Sequence, residues 1–271
     1  MATLEAQDPP PDPPSQTTAS RVGPDDAGKR ELESLGRNVC AGRFGALYSV
    51  CVERPCVMRR AARAVWGVDV SPLYRAIRLI GSLEGVCIAD VPCGGGVAFR
   101  GLRPDQDVRY LAADLDARML RRAERRARRR SLTQIEFQRA DVGALPFADG
   151  EIDVFLCFSA IHLVDDPGRA LSEIARCLSP GGLLIGTSFF SDMGARARRL
   201  FELGAGRGHP LPPSREHMYK SMYKAGLVEG TLGPDYGFAS FRARKPPDAG
   251  GPARRSRSAK GRPPWQSRRR P

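Results

Sequence analysis

Apolar positions along the chain follow two rhythms, and the change falls near residue 84. From Glu31 to Leu83 they recur at three- and four-residue intervals, as in "RFGALYSVCVERP" and "CVMRRAARAVWG", which predicts interrupted helices. "SPLYRAIRLIGSL" adds Ser71 as a candidate N-cap, with Pro72 at the first helical position, where a missing N–H costs nothing. From Gly85 onward short apolar runs alternate with helical stretches. "VCIADV" reads as a buried strand, Val108 to Asp114 as a second, Ile135 to Asp141 as a third, and Ile152 to Ala160 as a nearly wholly apolar fourth, as a central parallel strand should be. "LLIGTSFF" is a fifth, and two more are predicted near Val228 to Leu232 and Gly237 to Arg242. Between them lie an Arg-rich helix after the second strand and a helix opened by Asp166 and Pro167, with Ala170, Leu171, Ile174, Ala175 and Leu178 on its apolar face and "SPGG" as its stop. A third, "SREHMYKSMYKAGL", is capped by Ser214. The alternation predicts an α/β fold: a mostly parallel, seven-stranded sheet with helices on both faces.

Composition sets the limits of that domain. Residues 1–30, with "DPPPDPPSQTTAS", and residues 244–271 hold almost no large apolar side chain and are expected as disordered tails, one Pro-rich and one basic. The domain is then 31–243: N-terminal helices over 31–84, a core over 85–190, an insertion over 191–213, and a last helix and strands over 214–243. No run approaches the roughly 18 apolar residues of a membrane span and no signal-peptide pattern opens the chain, so a cytoplasmic protein is expected. Seven cysteines with no C-x-x-C pair argue against zinc and against a disulfide framework, and no metal is expected.

The net charge of +13 is unevenly placed. From Arg244 on, ten Lys or Arg face one Asp, and "RMLRRAERRARRR", Arg118 to Arg130, holds eight Arg against one Glu. Such runs serve as solvated faces or as contacts for nucleic-acid phosphates or an anionic surface. Neither run interleaves aromatics for base stacking, which lowers the nucleic-acid reading, so nucleic acid or an anionic surface is a partner open to the basic tail but not the favoured one.

The candidate chemistry gathers where the strands end. The first strand closes with Asp90, followed by Gly94, Gly95 and Gly96, which let backbone approach a ligand with no Cβ in the way. The second closes with Asp114, suited to accept hydrogen bonds from two ribose hydroxyls, and the third with Asp141. Each Asp could instead cap a local turn. A dinucleotide fingerprint is excluded, since G-x-G-x-x-G would need Gly94, Gly96 and a glycine at Phe99.

From "IADVPCGGGV", "AADLDARML" and "FQRADVGALPFADGEIDVFLCFSAIHLVDDPGRALSEIARCLSPGGLLI", the chain resembles the class I S-adenosylmethionine-dependent methyltransferases, and within them the subgroup of the ubiquinone and menaquinone biosynthesis enzymes, over roughly Val86 to Lys245. The resemblance implies a Rossmann-like fold and S-adenosyl-L-methionine as cofactor. It implies that Asp90 and the loop from Cys93 through Gly94 to Gly96 hold the methionine part. Asp114 takes the ribose, Leu115 packs on adenine, Asp141 and the Val142 backbone bind the adenine edge, and Phe158 borders methionine and substrate. Pro92 stands where the family's first loop glycine is usual, and removes an N–H donor there.

Methyl transfer from a sulfonium is an in-line displacement that asks for alignment and a dry pocket, with a base only where the acceptor must lose a proton. His162, just past the fourth strand, is the best-placed base, with packing as its other reading; His209, His217 and Tyr48 have weaker standing. The N-terminal helices and the 191–213 insertion are expected to act as specificity elements, the latter as a lid. Their apolar content suggests a small, partly apolar methyl acceptor. The alternatives are an RNA or protein methyltransferase that uses the basic helix and tail, or a cofactor-binding homologue without turnover.

Overall fold

The computed structural model describes residues 51–205 and 210–248. The Pro-rich segment, the stretch before residue 51 with Tyr48 that is expected as helix, His209, and the tail from residue 249 lie outside the described residues.

Six helices and seven strands make up the described fold: α1 (Pro55–Val65), α2 (Ser71–Ile80), β1 (Val86–Asp90), β2 (Val108–Asp114), α3 (Ala117–Arg129), β3 (Ile135–Arg139), β4 (Ile152–Phe158), α4 (Pro167–Cys177), β5 (Leu178–Phe189), α5 (Ala195–Ala205), α6 (Arg215–Lys224), β6 (Val228–Leu232) and β7 (Phe238–Arg244). Short 3-10 turns follow the glycine loop (Val97–Gly101) and β4 (Ile161–Leu163). The sheet order is β3-β2-β1-β4-β5-β7-β6. β1 pairs in parallel with both β2 and β4, and β7 alone reverses direction, antiparallel to β5 and β6. The chain therefore leaves the β3 edge and restarts at β4 beside β1. That reversal opens a crevice beyond the carboxyl end of β1, where ligands of such sheets bind.

The apolar strands are covered on both faces. One core joins Leu73, Ile77 and Ile80 of α2 and Leu120, Ala123 and Ala127 of α3 to Ile88, Tyr110 and Leu156; the other joins Leu171 and Ile174 of α4 and Met218 and Met222 of α6 to Ala89, Leu111 and Phe155. Neighbouring positions such as Ile88 and Ala89 fall in opposite cores, the two-residue alternation of a strand.

Three caps hold the helix starts, each a side chain satisfying an amide the helix leaves open and worth about 1 kcal/mol. Asp116 accepts from Arg118 N, Asp166 from Arg169 N, and Ser214 from His217 N. The expectation of Ser71 as a cap is corrected. Ser71 is itself the first helical residue, and Asp69 Oδ1 accepts both its amide (2.9 Å) and its hydroxyl (2.7 Å). "SPGG" is also more than a stop: α4 ends at Cys177, and residues 178–182 already belong to β5, in a stretch where the register against β4 shifts. β7 continues through Arg244, and Lys245 N donates to Gly182 O at 2.9 Å, so the ordered sheet extends past the expected boundary at 243. Within the 191–213 insertion lies α5, whose Phe201 packs on Phe189 at the end of β5.

Candidate functional site

The turn after β1 is pinned at successive amides. Val91 N donates to Leu156 O (3.0 Å), Cys93 N to Ala113 O (2.8 Å), and Gly94 N to Asp114 Oδ2 (2.8 Å), so the loop is tied to both flanking strands. The Val91–Pro92 peptide is cis. Gly94 and Gly96 have φ of +54° and +79°, the left-handed region that side chains resist. Their surroundings differ. A Cβ on Gly96 would meet the Phe99 ring at 2.4 Å, whereas one on Gly94 would meet nothing within 4 Å. Gly96 is thus needed for packing, and Gly94 borders open space.

Each of the three expected carboxylates has a distinct environment. Asp90 is 1% exposed, and Tyr110 donates its hydroxyl to Oδ2 at 2.9 Å. Burial pushes its pKa up to about 7, against the pull of the Tyr110 bond. Asp114 accepts Gly94 N on one oxygen and Asp116 N (2.9 Å) on the other; burial raises its pKa while these amides oppose the rise. A carboxylate has about four lone-pair sites, so two amides leave acceptor capacity for a ligand's hydroxyls. Asp141 is exposed, past the end of β3, and accepts Gly143 N at 2.8 Å.

Between the ends of β2 and β3 lies an open cleft of about 360 Å³, lined by Leu115, Arg139, Ala140, Asp141, Ala144 and Pro146. Four of the six are apolar, and Leu115 is held 41% exposed. Arg139 Nε donates to the Leu115 carbonyl at 2.9 Å across one side. Apolar side chains beside one carboxylate acceptor are groups that a flat heterocycle with an amino edge can use. Val142 lies buried behind Asp141, and Cys93 and Phe158 are buried in one core cluster.

His162 is apart from this cleft. It is 5% exposed, with its ring 5.2 Å from Phe189 and 6.1 Å from Phe201, centroid to centroid, and Nδ1 is 3.3 Å from Ser188 Oγ. The Ser188 hydroxyl also lies 2.9 Å from Phe189 O, which can accept its proton. Burial lowers the His162 pKa to about 3. Trp66 and Phe238 complete an aromatic set around Phe189, at 6.1 and 5.0 Å. His217, at the start of α6, is exposed. Among the described residues no group of three His, Cys, Asp or Glu is placed to hold a metal, the six cysteines are free, and no helix is long and apolar enough to cross a membrane.

Sequence reasoning missed Tyr110, Arg139 and this aromatic set. Tyr110 carries a usable signal, as the only polar-tipped residue in an otherwise apolar stretch of β2, while Arg139 and the aromatics come from scattered segments that the fold alone assembles.

Comparison with known proteins agrees with this architecture. Residues 89–186 match the family model for a methyltransferase domain. An uncharacterized chloroplastic methyltransferase of Arabidopsis thaliana is 34% identical over 113 residues, 39% of this chain and 32% of that protein. The demethylmenaquinone methyltransferase of Renibacterium salmoninarum is 31% identical over 110 residues, 41% of this chain and 44% of that protein. The chain thus spans less than half the length of either relative. Phosphoethanolamine N-methyltransferase 2 of Haemonchus contortus, solved with S-adenosyl-L-methionine, superposes with a TM-score of 0.57 at 16% identity, over 66% of this chain and 53% of that one. The match runs from the end of β1 through most of β5, the part that carries the glycine loop and the three carboxylates, so the segment that matches a methyltransferase domain lies in a fold of the class I methyltransferase type.

Proposed function

We propose that the protein binds S-adenosyl-L-methionine at the carboxyl edge of β1, β2 and β3 and transfers its methyl group to a small, partly apolar acceptor. The observation that carries the reading is the placement of Asp114, which ties down Gly94 with one oxygen and begins, at Leu115, the wall of the open cleft. The residues present fit the cofactor. Leu115, Ala140, Ala144 and Pro146 supply apolar walls for adenine and Asp141 an acceptor for its amino group. Asp114 keeps lone pairs for the ribose, and the unfilled space over Gly94 admits the methionine chain.

When bound, the cofactor supplies an electrophilic methyl on a cationic sulfur. The protein's part is to align and to exclude water. Buried Asp90, beside the loop, supplies negative charge for the cationic end once ionised. The acceptor would lie against Trp66, Phe189 and Phe201, with α5 as its cover; that set carries no charged side chain and suits a neutral, flat or apolar molecule. His162 forms part of this wall. A neutral imidazole with a pKa near 3 is a weak proton acceptor, so its contribution is shape, with proton abstraction only if acceptor binding opens the site to water.

Calorimetric titration of the full chain with S-adenosyl-L-methionine tests the reading, with Asp114→Asn and Asp114→Ala beside it. Binding by the intact chain that both variants lose at unchanged fold supports it. No binding by the intact chain overturns it.

A further inference from the structure

The outer face of α3 is strongly charged, and nothing in the site above uses it. The helix turns Met119, Leu120, Ala123 and Ala127 onto the sheet and leaves Arg118, Arg121, Arg125, Arg128 and Arg129 exposed. The acids nearby are sparse: Asp116 lies 3.9 Å from Arg118, and Glu124 3.9 Å from Arg128, pairs at long distance that neutralise little. Arg121, Arg125 and Arg129 have no acidic partner among the described residues. At the C-terminal end the ridge meets Arg100 of the turn after the glycine loop. Arg100 Nη1 donates to Glu53 O at 2.7 Å, Arg126 pairs with the Glu53 carboxylate, and Arg126 Nη1 is buried with no hydrogen-bond partner.

We propose that this ridge docks the sugar–phosphate backbone of duplex RNA. The inference stands apart from the methyl-transfer reading. Every cation on α3 is Arg, whose planar fork takes phosphate oxygens two at a time. Insertion into a lipid surface does not fit, because the sheet already covers the apolar face of α3, and attachment to anionic headgroups by charge alone is the outcome that the vesicle comparison tests. No aromatic side chain lies on α3, so bases have no stacking platform and contact is limited to the backbone of a paired helix. Thirteen residues make a ridge about 20 Å long with a guanidinium on every turn. The narrow major groove of an A-form duplex presents a phosphate row on each side of such a ridge. The sequence past residue 248 adds eight more Lys or Arg and no acid, of the same complementarity.

The test is anisotropy of a labelled RNA duplex of about 20 base pairs, titrated with the full chain between about 50 and about 200 mM salt, beside Arg121→Gln/Arg125→Gln/Arg129→Gln. Gln keeps helix propensity, and an unchanged melting temperature confirms the fold. Expected are binding by the intact chain that weakens steeply with salt, and in the variant at least a tenfold loss at low salt with a log–log salt slope shallower by about 2. Arg118→Gln/Arg128→Gln, an independent pair, should lose affinity in the same direction. Equal binding by the intact chain and the triple variant would overturn the proposal, as would no binding at low salt, or tighter binding to duplex DNA or to phosphatidylserine vesicles than to the RNA.

Discussion

Tyr110 donates its hydroxyl to the carboxylate of Asp90 at 2.9 Å in the buried interior, one strand apart, at the edge of the crevice that the sheet's reversal creates. The pair places an ionisable group where only its neutral form is comfortable. Burial raises the Asp90 pKa from 3.8 to about 7. With the folded value above the unfolded one, the contribution of Asp90 to stability is complete below about pH 4 and is lost as pH rises through about 7. Asp90→Asn should remove that loss. Measured by urea unfolding at several pH values, the stability of the natural chain relative to the variant should fall as pH rises through this window, by at most about 1.4 kcal/mol per pH unit. A relative stability that rises with pH would show that the anion is the form the fold prefers.

The two left-handed glycines separate folding from binding. Gly96→Ala adds a Cβ to both a φ of +79° and a ring atom 2.4 Å away, so the 3-10 turn and Phe99 must move. A loss of more than about 2 kcal/mol is expected in thermal or urea unfolding. Gly94→Ala meets no neighbour within 4 Å and bears the backbone penalty alone, about 1 kcal/mol. If the space over Gly94 receives the cofactor, this milder variant should still lose at least tenfold in affinity for S-adenosyl-L-methionine.

Most of the architecture was legible because its signals are local. The strand over Val108–Asp114 and the one over Val228–Leu232 have the extents their apolar patterns predict, and Asp166 and Ser214 cap the helices that follow them. β3 is shorter than its pattern because the chain leaves the sheet after Arg139, and Asp141 folds back in a turn with Gly143 and Ala144. Ser71 looked like a cap because Ser and Pro adjoin, yet Asp69, two residues earlier, reaches both its donors. At the site, Asp90 and Asp114 were legible as the last residues of their strands, which needs no tertiary information, whereas Asp141 lies two residues past the end of β3. The Tyr110 bond to Asp90, the Arg139 bond to the Leu115 carbonyl, and the meeting of Trp66, His162, Phe189, Phe201 and Phe238 depend on which strands and helices become neighbours.

Leu115 is an apolar side chain kept in water at the mouth of the cleft, where folding gains little from it. Leu115→Ala should leave stability within about 0.5 kcal/mol. On the cofactor reading it removes one face of the adenine site, and the dissociation constant for S-adenosyl-L-methionine should rise about 5- to 30-fold, following the area a Leu side chain buries. Calorimetry and a thermal melt on the same sample check both halves. Unchanged affinity would move adenine out of this cleft.

His162 offers the opposite pH dependence to Asp90. Burial lowers its pKa from 6.5 to about 3, so its stabilising contribution is complete above about pH 6.5 and is lost as pH falls toward 3. His162→Phe keeps a ring among Phe189 and Phe201 and removes the group that must stay neutral. The variant should therefore hold its stability better on acidification, gaining on the natural chain by up to about 1.4 kcal/mol per pH unit below 6.5 in urea unfolding. The same residue can be tested for proton transfer once an acceptor is known. A wall residue leaves the turnover rate of the natural chain without an acidic limb near pH 6.5, and His162→Gln, which keeps polar atoms there, should retain activity within about tenfold. A limb at that pH that disappears in His162→Gln would instead make His162 the base, and would require that acceptor binding hydrate the imidazole that Phe189 and Phe201 now enclose.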